Sequence, residues 1–246
     1  MKTLVLGATS AIAAEVCRLY AERGDHLHLV GRNAEKLADV ATGAAQAPNV
    51  TTATADFANL EDNERVVRDA IDALGGLDSV LVAHGDLGDQ IESERSFSHA
   101  EGILRANFTS VVSLLIPVAN HFEARKKGRI GVITSVAGDR GRPRNYTYGA
   151  AKGALHIYLQ GLRTRLYAAE VTVTTLKLGP VDTPMTRDHK KNALFGKVPT
   201  VAKDIVQAID AGVPEAYVPK IWGLIMPVVK HTPEALFQRL SFLSGR

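Results

Sequence analysis

The chain has 246 residues, 46% of them hydrophobic and 22% charged, and 29 Lys plus Arg against 26 Asp plus Glu give a net charge of +3. This is the composition of a folded globular chain of a length that suits one α/β domain, and it argues against long disorder, a collagen-like repeat or a dedicated nucleic-acid binder. The lone cysteine, Cys17, rules out an intrachain disulfide framework, and no Cys/His spacing matches a zinc site. Met1 leads straight into Leu4-Val5-Leu6 with no apolar leader, and no uninterrupted apolar run reaches 18 residues, so a cytoplasmic chain without a membrane span is expected.

Strands are predicted at 2–6, 26–30, 49–54, 78–83, 129–134, 171–177 and 216–218, where short apolar runs occur. Between them, helices are predicted near 10–23, 33–43, 60–73, 98–124, 147–168 and 200–211. Ile12, Val16, Leu19 and Tyr20 fall on one face of the first helix, and Gly24 stops it. Strand–helix alternation implies a mostly parallel seven-stranded sheet covered by helices on both faces, a three-layer α/β/α doubly wound fold. No Pro/Gly-rich linker divides the chain. Residues 1–218 read as the main unit, 182–199 as a mobile loop or short lid, and 219–246 as an apolar, amphipathic extension of the same domain.

The first strand runs into Gly7-Ala8-Thr9-Ser10-Ala11-Ile12-Ala13 and then a helix. Small residues at a strand-to-helix turn let the backbone approach a pyrophosphate, and the helix dipole favours the anion, so Gly7, Thr9, Ser10 and Ile12 are candidate cofactor ligands. The competing reading of such a turn is plain packing. At the end of the second strand stand Arg32 and Asn33, with no acid at 29–33. An arginine there accommodates a ribose 2′-phosphate, which favours NADP(H) over NAD(H); the alternative is a solvated turn. After the third strand, Asp56 and Phe57 are placed to meet an adenine, although Asp56 equally suits an N-cap.

Ser135 ends the fifth strand, Tyr148 follows 13 residues later, and Lys152 four after that. A spacing of four on a helix stacks Tyr148 and Lys152 one turn apart. A nearby ammonium is expected to lower the phenol's pKa, fitting it to exchange a proton with a carbonyl or alcohol oxygen, which Ser135 would also bind. Asn107, mid-helix, is a candidate to hold a water that relays the proton. With 6 tyrosines in the chain, a stray Tyr-x3-Lys arises readily by chance; the conjunction with Ser135 and the N-terminal turn carries the argument.

With these motifs the sequence resembles the short-chain dehydrogenase/reductase (SDR) family over about residues 2–218. The resemblance implies a Rossmann fold, Ser135 orienting the substrate, Tyr148 as catalytic acid/base, Lys152 as ligand of the nicotinamide ribose, and Asn107 as proton relay. It also implies cofactor contacts from Ala83 and Gly85 after the fourth strand. After the sixth, Gly179, Val181 and Thr183 play that part, Val181 receiving the carboxamide. A small-molecule carbonyl or alcohol substrate and a homodimer or homotetramer follow in the same way. The sequence departs from the family at Ala11 and Ala13, where glycines are usual, and at Leu178, Ala83 and His84. His84 is read as a structural histidine rather than a catalytic one.

Arg140, Arg142 and Arg144 border the site between Ser135 and Tyr148. Guanidinium forks suit a phosphorylated substrate; a solvated loop or intersubunit ion pairs are the other readings. The tail holds an apolar run at 221–229 and an amphipathic stretch with Leu236, Phe237 and Leu240, flanked by Lys220, Lys230, Arg239 and Arg246. Such a face serves a subunit interface, a hydrophobic substrate tunnel or peripheral contact with the inner face of a membrane. Arginine loop and tail together look similar to the branch of the family that reduces the 2-keto intermediate of decaprenylphosphoryl-arabinose formation. A 3-oxoacyl-thioester or general carbonyl reductase, or a non-catalytic NADP-bound sensor, are the alternatives; no metal and no nucleic acid are expected.

Overall fold

A computed structural model of the chain describes residues 1–186 and 191–240. Part of the expected lid (187–190) and the end of the tail (241–246, with Arg246) lie outside the described residues. The elements in chain order are β1 (Lys2–Leu6), α1 (Ala11–Glu22), β2 (His26–Gly31), α2 (Ala34–Gly43), β3 (Val50–Thr54), α3 (Asn63–Leu74) and β4 (Ser79–Val82). Then come α4 (Gln90–Arg95), α5 (Phe97–Leu104), a π-helical turn (Arg105–Thr109), α6 (Ser110–Arg125), β5 (Gly128–Ser135) and α7 (Tyr146–Leu166). The chain continues through β6 (Val171–Leu178), α8 (Val198–Asp210), β7 (Glu215–Val218), α9 (Trp222–His231) and α10 (Glu234–Phe237).

The seven strands form one sheet in the order β3-β2-β1-β4-β5-β6-β7, with all pairs parallel. Alternate residues of a strand serve opposite faces. Leu4 and Leu6 pack with Val67, Leu114, Phe122 and Leu155 on the side of α3, α6 and α7. Val5 points the other way, toward Val16, Tyr20, Leu37 and Ile205 of α1, α2 and α8. Burial on both faces explains why the strands read as continuous apolar runs. Ser10 caps α1 by accepting from the Ala13 amide (3.1 Å), and Asn33 caps α2 by accepting from the Lys36 amide (2.9 Å).

The sequence did not disclose α4, α9 or α10. α4 is short and polar, and α9 carries Pro227 in its interior and is apolar on most sides, which hides its period. The strand order reverses between β1 and β4, and in such sheets ligands settle beyond the carboxyl ends of the strands at that point.

Although no uninterrupted apolar run reaches 18 residues, Phe97–Arg125 has the length and hydropathy of a membrane-crossing helix. Its apolar residues serve the core instead: Val111, Leu114, Leu115, Val118 and Phe122 are buried, while Ile116 is 48% exposed. Phe122→Ala should therefore lower unfolding free energy in urea by about 3–5 kcal/mol, the cost of a large core cavity. Ile116→Ala should change it by less than about 0.5 kcal/mol. Equal effects would contradict this orientation of the helix.

Candidate active site

The turn after β1 and the exit of β4 meet where the sheet order reverses. Gly7 adopts φ +86°, and a Cβ there would sit 2.5 Å from the His84 backbone nitrogen. Glycine is thus required both by backbone conformation and by close approach. The start of α1 (Thr9, Ser10, Ile12) opens onto a cavity of about 780 Å³. Ala83 and Gly85 line it from the β4 exit, Ser135, Tyr148 and Lys152 from β5 and α7, and Gly179, Val181 and Thr183 from the β6 exit. The expected catalytic and cofactor residues thus largely converge on one cavity.

Ser135 caps the turn after β5: its hydroxyl accepts from the Ala137 amide (3.1 Å) and donates to the Leu178 carbonyl (3.3 Å). Lys152 is 2% exposed, its Nζ donating to the Ile133 carbonyl (3.3 Å) and lying 5.7 Å from the Tyr148 ring centroid. Burial lowers the Lys152 ammonium to about 8. Burial also pushes the Tyr148 phenol up to about 12, against a hydrogen bond with Ser135 that pulls it down. Lys152, expected to lower the phenol's pKa, does not figure among the causes of this shift; its Nζ is directed to the Ile133 carbonyl. A phenol shifted upward in this way holds its proton at neutral pH.

Asn107 lies in the π-helical turn, a distortion frequent at functional sites. Its Nδ2 donates to the carbonyls of Asp86 (2.6 Å) and Ile103 (2.9 Å), and its Oδ1 accepts from the Asp86 amide (3.1 Å). The side chain clamps the β4 exit. Gly85 fits beneath it, since a Cβ there would approach Asn107 Oδ1 to 2.8 Å and Lys152 Nζ to 3.1 Å. His84 stacks on Phe57 with centroids 4.6 Å apart, and its Nε2 meets Ser110 Oγ at 2.9 Å. Burial first, then the charges of Lys152 and Arg32, hold it down at about 3, so it stays neutral and structural.

Arg32, Asn33 and Asp56 are exposed or half-buried and do not line the cavity. Asn33 is occupied as the α2 cap, and Asp56 accepts from the Ala58 amide (3.1 Å), closing a turn. Lys36, unforeseen from sequence, lines the cavity one turn into α2. Its signal was a second cation on the helix that follows Arg32.

The three loop arginines separate. Arg142 and Arg144 line the cavity, whereas Arg140 does not. Arg140 pairs with Glu234 (2.7 Å) and donates to three carbonyls of the tail, which removes it from the expected substrate set. Trp222, Ile225 and Val229 of α9 were also missed as cavity residues.

The residues present fit a dinucleotide. The turn before α1 is free of bulky side chains. Buried polar atoms without partners border the cavity at His84 Nδ1, Arg142 Nε, Asn145 Oδ1 and Trp222 Nε1. Such atoms are costly unless a ligand or water meets them. Among the described residues, no group of three or more His, Cys, Asp or Glu could hold a metal.

The sequence profile described as short chain dehydrogenase matches residues 2–194. An uncharacterized oxidoreductase of the mprA 5′ region of Streptomyces coelicolor is 31% identical over 240 residues, covering 96% of this chain and 94% of that protein. A short chain dehydrogenase from Burkholderia cenocepacia, solved in complex with NADP, superposes with a TM-score of 0.82 at 21% identity, covering 97% of this chain and 96% of that one. A point variant of the actinorhodin polyketide ketoreductase, solved with NADPH, superposes at 0.79 and 20% identity, covering 88% of this chain and 95% of that one. At such identities these structures speak to the fold alone.

Replacing Gly7 by valine forces a branched side chain against the His84 backbone. Calorimetric titration with NADPH should show affinity at least about tenfold weaker, with far-UV circular dichroism retained. Unchanged affinity would remove this turn from the cofactor site.

Proposed function

The chain belongs to the short-chain dehydrogenase family, and from that premise we propose that it is an NADPH-dependent ketone reductase in which Tyr148 delivers the proton. It is an oxidoreductase of the type that interconverts alcohols and carbonyls with a nicotinamide cofactor. One observation carries this reading: Ser135, Tyr148 and Lys152 line one cavity together with the turn that leads into α1.

The nicotinamide supplies a hydride to the carbonyl carbon when bound. The chain's own groups handle the oxygen. Ser135 turns its one hydroxyl proton from the Leu178 carbonyl to the ketone oxygen and holds that oxygen against Tyr148. The Tyr148 phenol releases its proton to that oxygen, completing the alcohol. The Lys152 ammonium, one turn along α7, stabilises the phenolate left behind until it is reprotonated. Asn107 keeps the β4 exit in place beneath Lys152.

Preference for NADP(H) is supported by Arg32 at the β2 exit and Lys36 on α2, two cations with no acid at 29–33. For the substrate, Arg142 offers a half-buried guanidinium with an unpartnered Nε, and Arg144 stands beside it on the cavity wall. Trp222, Ile225 and Val229 add an apolar face to the same cavity, with Arg142 Nη2 3.7 Å from Met226 Sδ of α9. An anion next to an apolar portion supports a phosphate- or lipid-linked keto-sugar. The outer face of α9, with Leu224 73% and Val228 66% exposed between Lys220 and Lys230, supports peripheral contact with an anionic membrane. The loss of Arg140 from the substrate set favours the second reading, a general ketone or 3-oxoacyl-thioester reductase.

A ketone panel followed by NADPH and NADH consumption tests this. NADPH should be preferred, a prenyl-phosphate keto-sugar should outpace short ketones, and Tyr148→Phe should lower kcat about 10²–10⁴-fold with NADPH affinity kept. Equal rates on all ketones would remove the keto-sugar reading, and an active Tyr148→Phe would remove the proton-donor assignment.

The pH profile carries a sign. A raised phenol pKa keeps Tyr148 protonated across the neutral range, and a lowered lysine pKa means Lys152 loses its charge above about 8. Reduction should therefore stay level to about pH 8 and then fall, while alcohol oxidation, which needs the phenolate, should rise. Reduction that climbs between about pH 7 and 9 would contradict this assignment.

A further inference from the structure

α9 has an inner and an outer face, and its inner face roofs the cavity. Trp222 lies so close over Gly179 that any Cβ at 179 would collide with its indole Nε1. Two things hold the helix there. The first is a small apolar cluster of Val136, Trp222, Met226, Val229 and Phe237, separate from the two large cores. The second is the Arg140 side chain, reaching from the loop after β5.

Arg140 makes an unusually complete set of contacts. Nη1 donates to the carbonyls of Val229 (2.8 Å), Lys230 (3.2 Å) and Thr232, Nη2 pairs with Glu234 (2.7 Å), and the guanidinium stacks 4.0 Å over the Phe237 ring. The Val229 and Lys230 carbonyls belong to the last turn of α9, where helix carbonyls lack partners and the dipole is negative. Lysine could satisfy the charge there, but not the planar fork or the ring stacking. The side chain is 13% exposed, so water competes weakly.

The base of this latch is fixed. The preceding residue, Asp139, accepts from the Tyr217 hydroxyl (2.7 Å) and pairs with Lys177 (3.2 Å) and His156 (3.3 Å), on β7, β6 and α7. The same loop joins Ser135 to Tyr148. A cluster of five buried residues can open while the sheet stays folded.

We infer that Arg140 is a positioning residue that latches the segment 219–240 over the cavity and thereby sets how bulky a ketone can reach Tyr148. It does not line the cavity and acts through α9. The inference rests on the reductase reading only for the nature of the molecule admitted.

The test compares full-length wild type with Arg140→Ala and Arg140→Lys. In Arg140→Ala, amide hydrogen exchange within 219–240 should rise about tenfold or more with the strands unchanged. Acrylamide quenching of Trp222, the single tryptophan, should rise with it. The kcat/KM ratio of a long-chain ketone to a short one should move about tenfold toward the long-chain ketone, with kcat on the short one and NADPH affinity little changed. Arg140→Lys should recover part of each effect. Exchange that rises evenly through the chain, or does not rise, overturns the latch; local loosening with an unchanged ketone ratio overturns its role in selectivity. A wild-type protein that reduces no ketone overturns the reductase reading alone, and the exchange and quenching results still decide the latch.

Discussion

Desolvation of Tyr148 and Lys152 is the interaction on which the rest of the site depends. Buried groups resist charge, so the phenol keeps its proton and the ammonium holds its own less firmly. The two side chains are one helical turn apart, yet the cation does not dominate the phenol. The sheet supplies the location, because the reversal of strand order between β1 and β4 opens a crevice at the strand exits; Gly7 lets the two exits approach, and Gly85 leaves room for Asn107 and Lys152.

A second buried polar system supports the loop between Ser135 and Tyr148. Burial alone would raise the Asp139 carboxyl, but hydrogen bonds from His156 and Tyr217 and the Lys177 charge hold it well below the usual carboxylate range. Lys177 also pairs with Glu215 (2.8 Å), and His156 reaches Thr134 Oγ1 (3.0 Å), the residue before Ser135. Fully partnered networks of this kind fix a single arrangement; removing one member strands a buried charge. Through Asp139 and Arg140, one loop ties the sheet, the catalytic strand end and the tail together.

Much of this was legible in the chain. The central strands β1 and β4 were clear because both of their faces are buried, which makes Leu4–Leu6 and Val80–Val82 unbroken apolar runs, whereas the edge strands β3 and β7 are more polar and less buried. Ser135, Tyr148 and Lys152 were legible because their spacing occurs together with the N-terminal turn and with a resemblance to a known family. What escaped depends on tertiary environment. The direction of the Tyr148 shift is set by burial, which spacing does not encode. Arg140 reads as one of three equivalent loop cations until residues some ninety positions away supply its partners. α9 was hidden by Pro227 and by apolar residues needed on both of its faces, and so was its role as roof.

The most direct measurement of the central claim is the ionisation of the Tyr148 phenol itself. Ultraviolet difference titration of the cofactor-free protein against Tyr148→Phe isolates this one tyrosine among the 6 in the chain. The account predicts that no Tyr148 phenolate appears across the neutral range and that ionisation comes near 12, above the ordinary tyrosine value. A phenolate already formed near neutrality would show that the cation, not burial, governs the site, and would contradict the account.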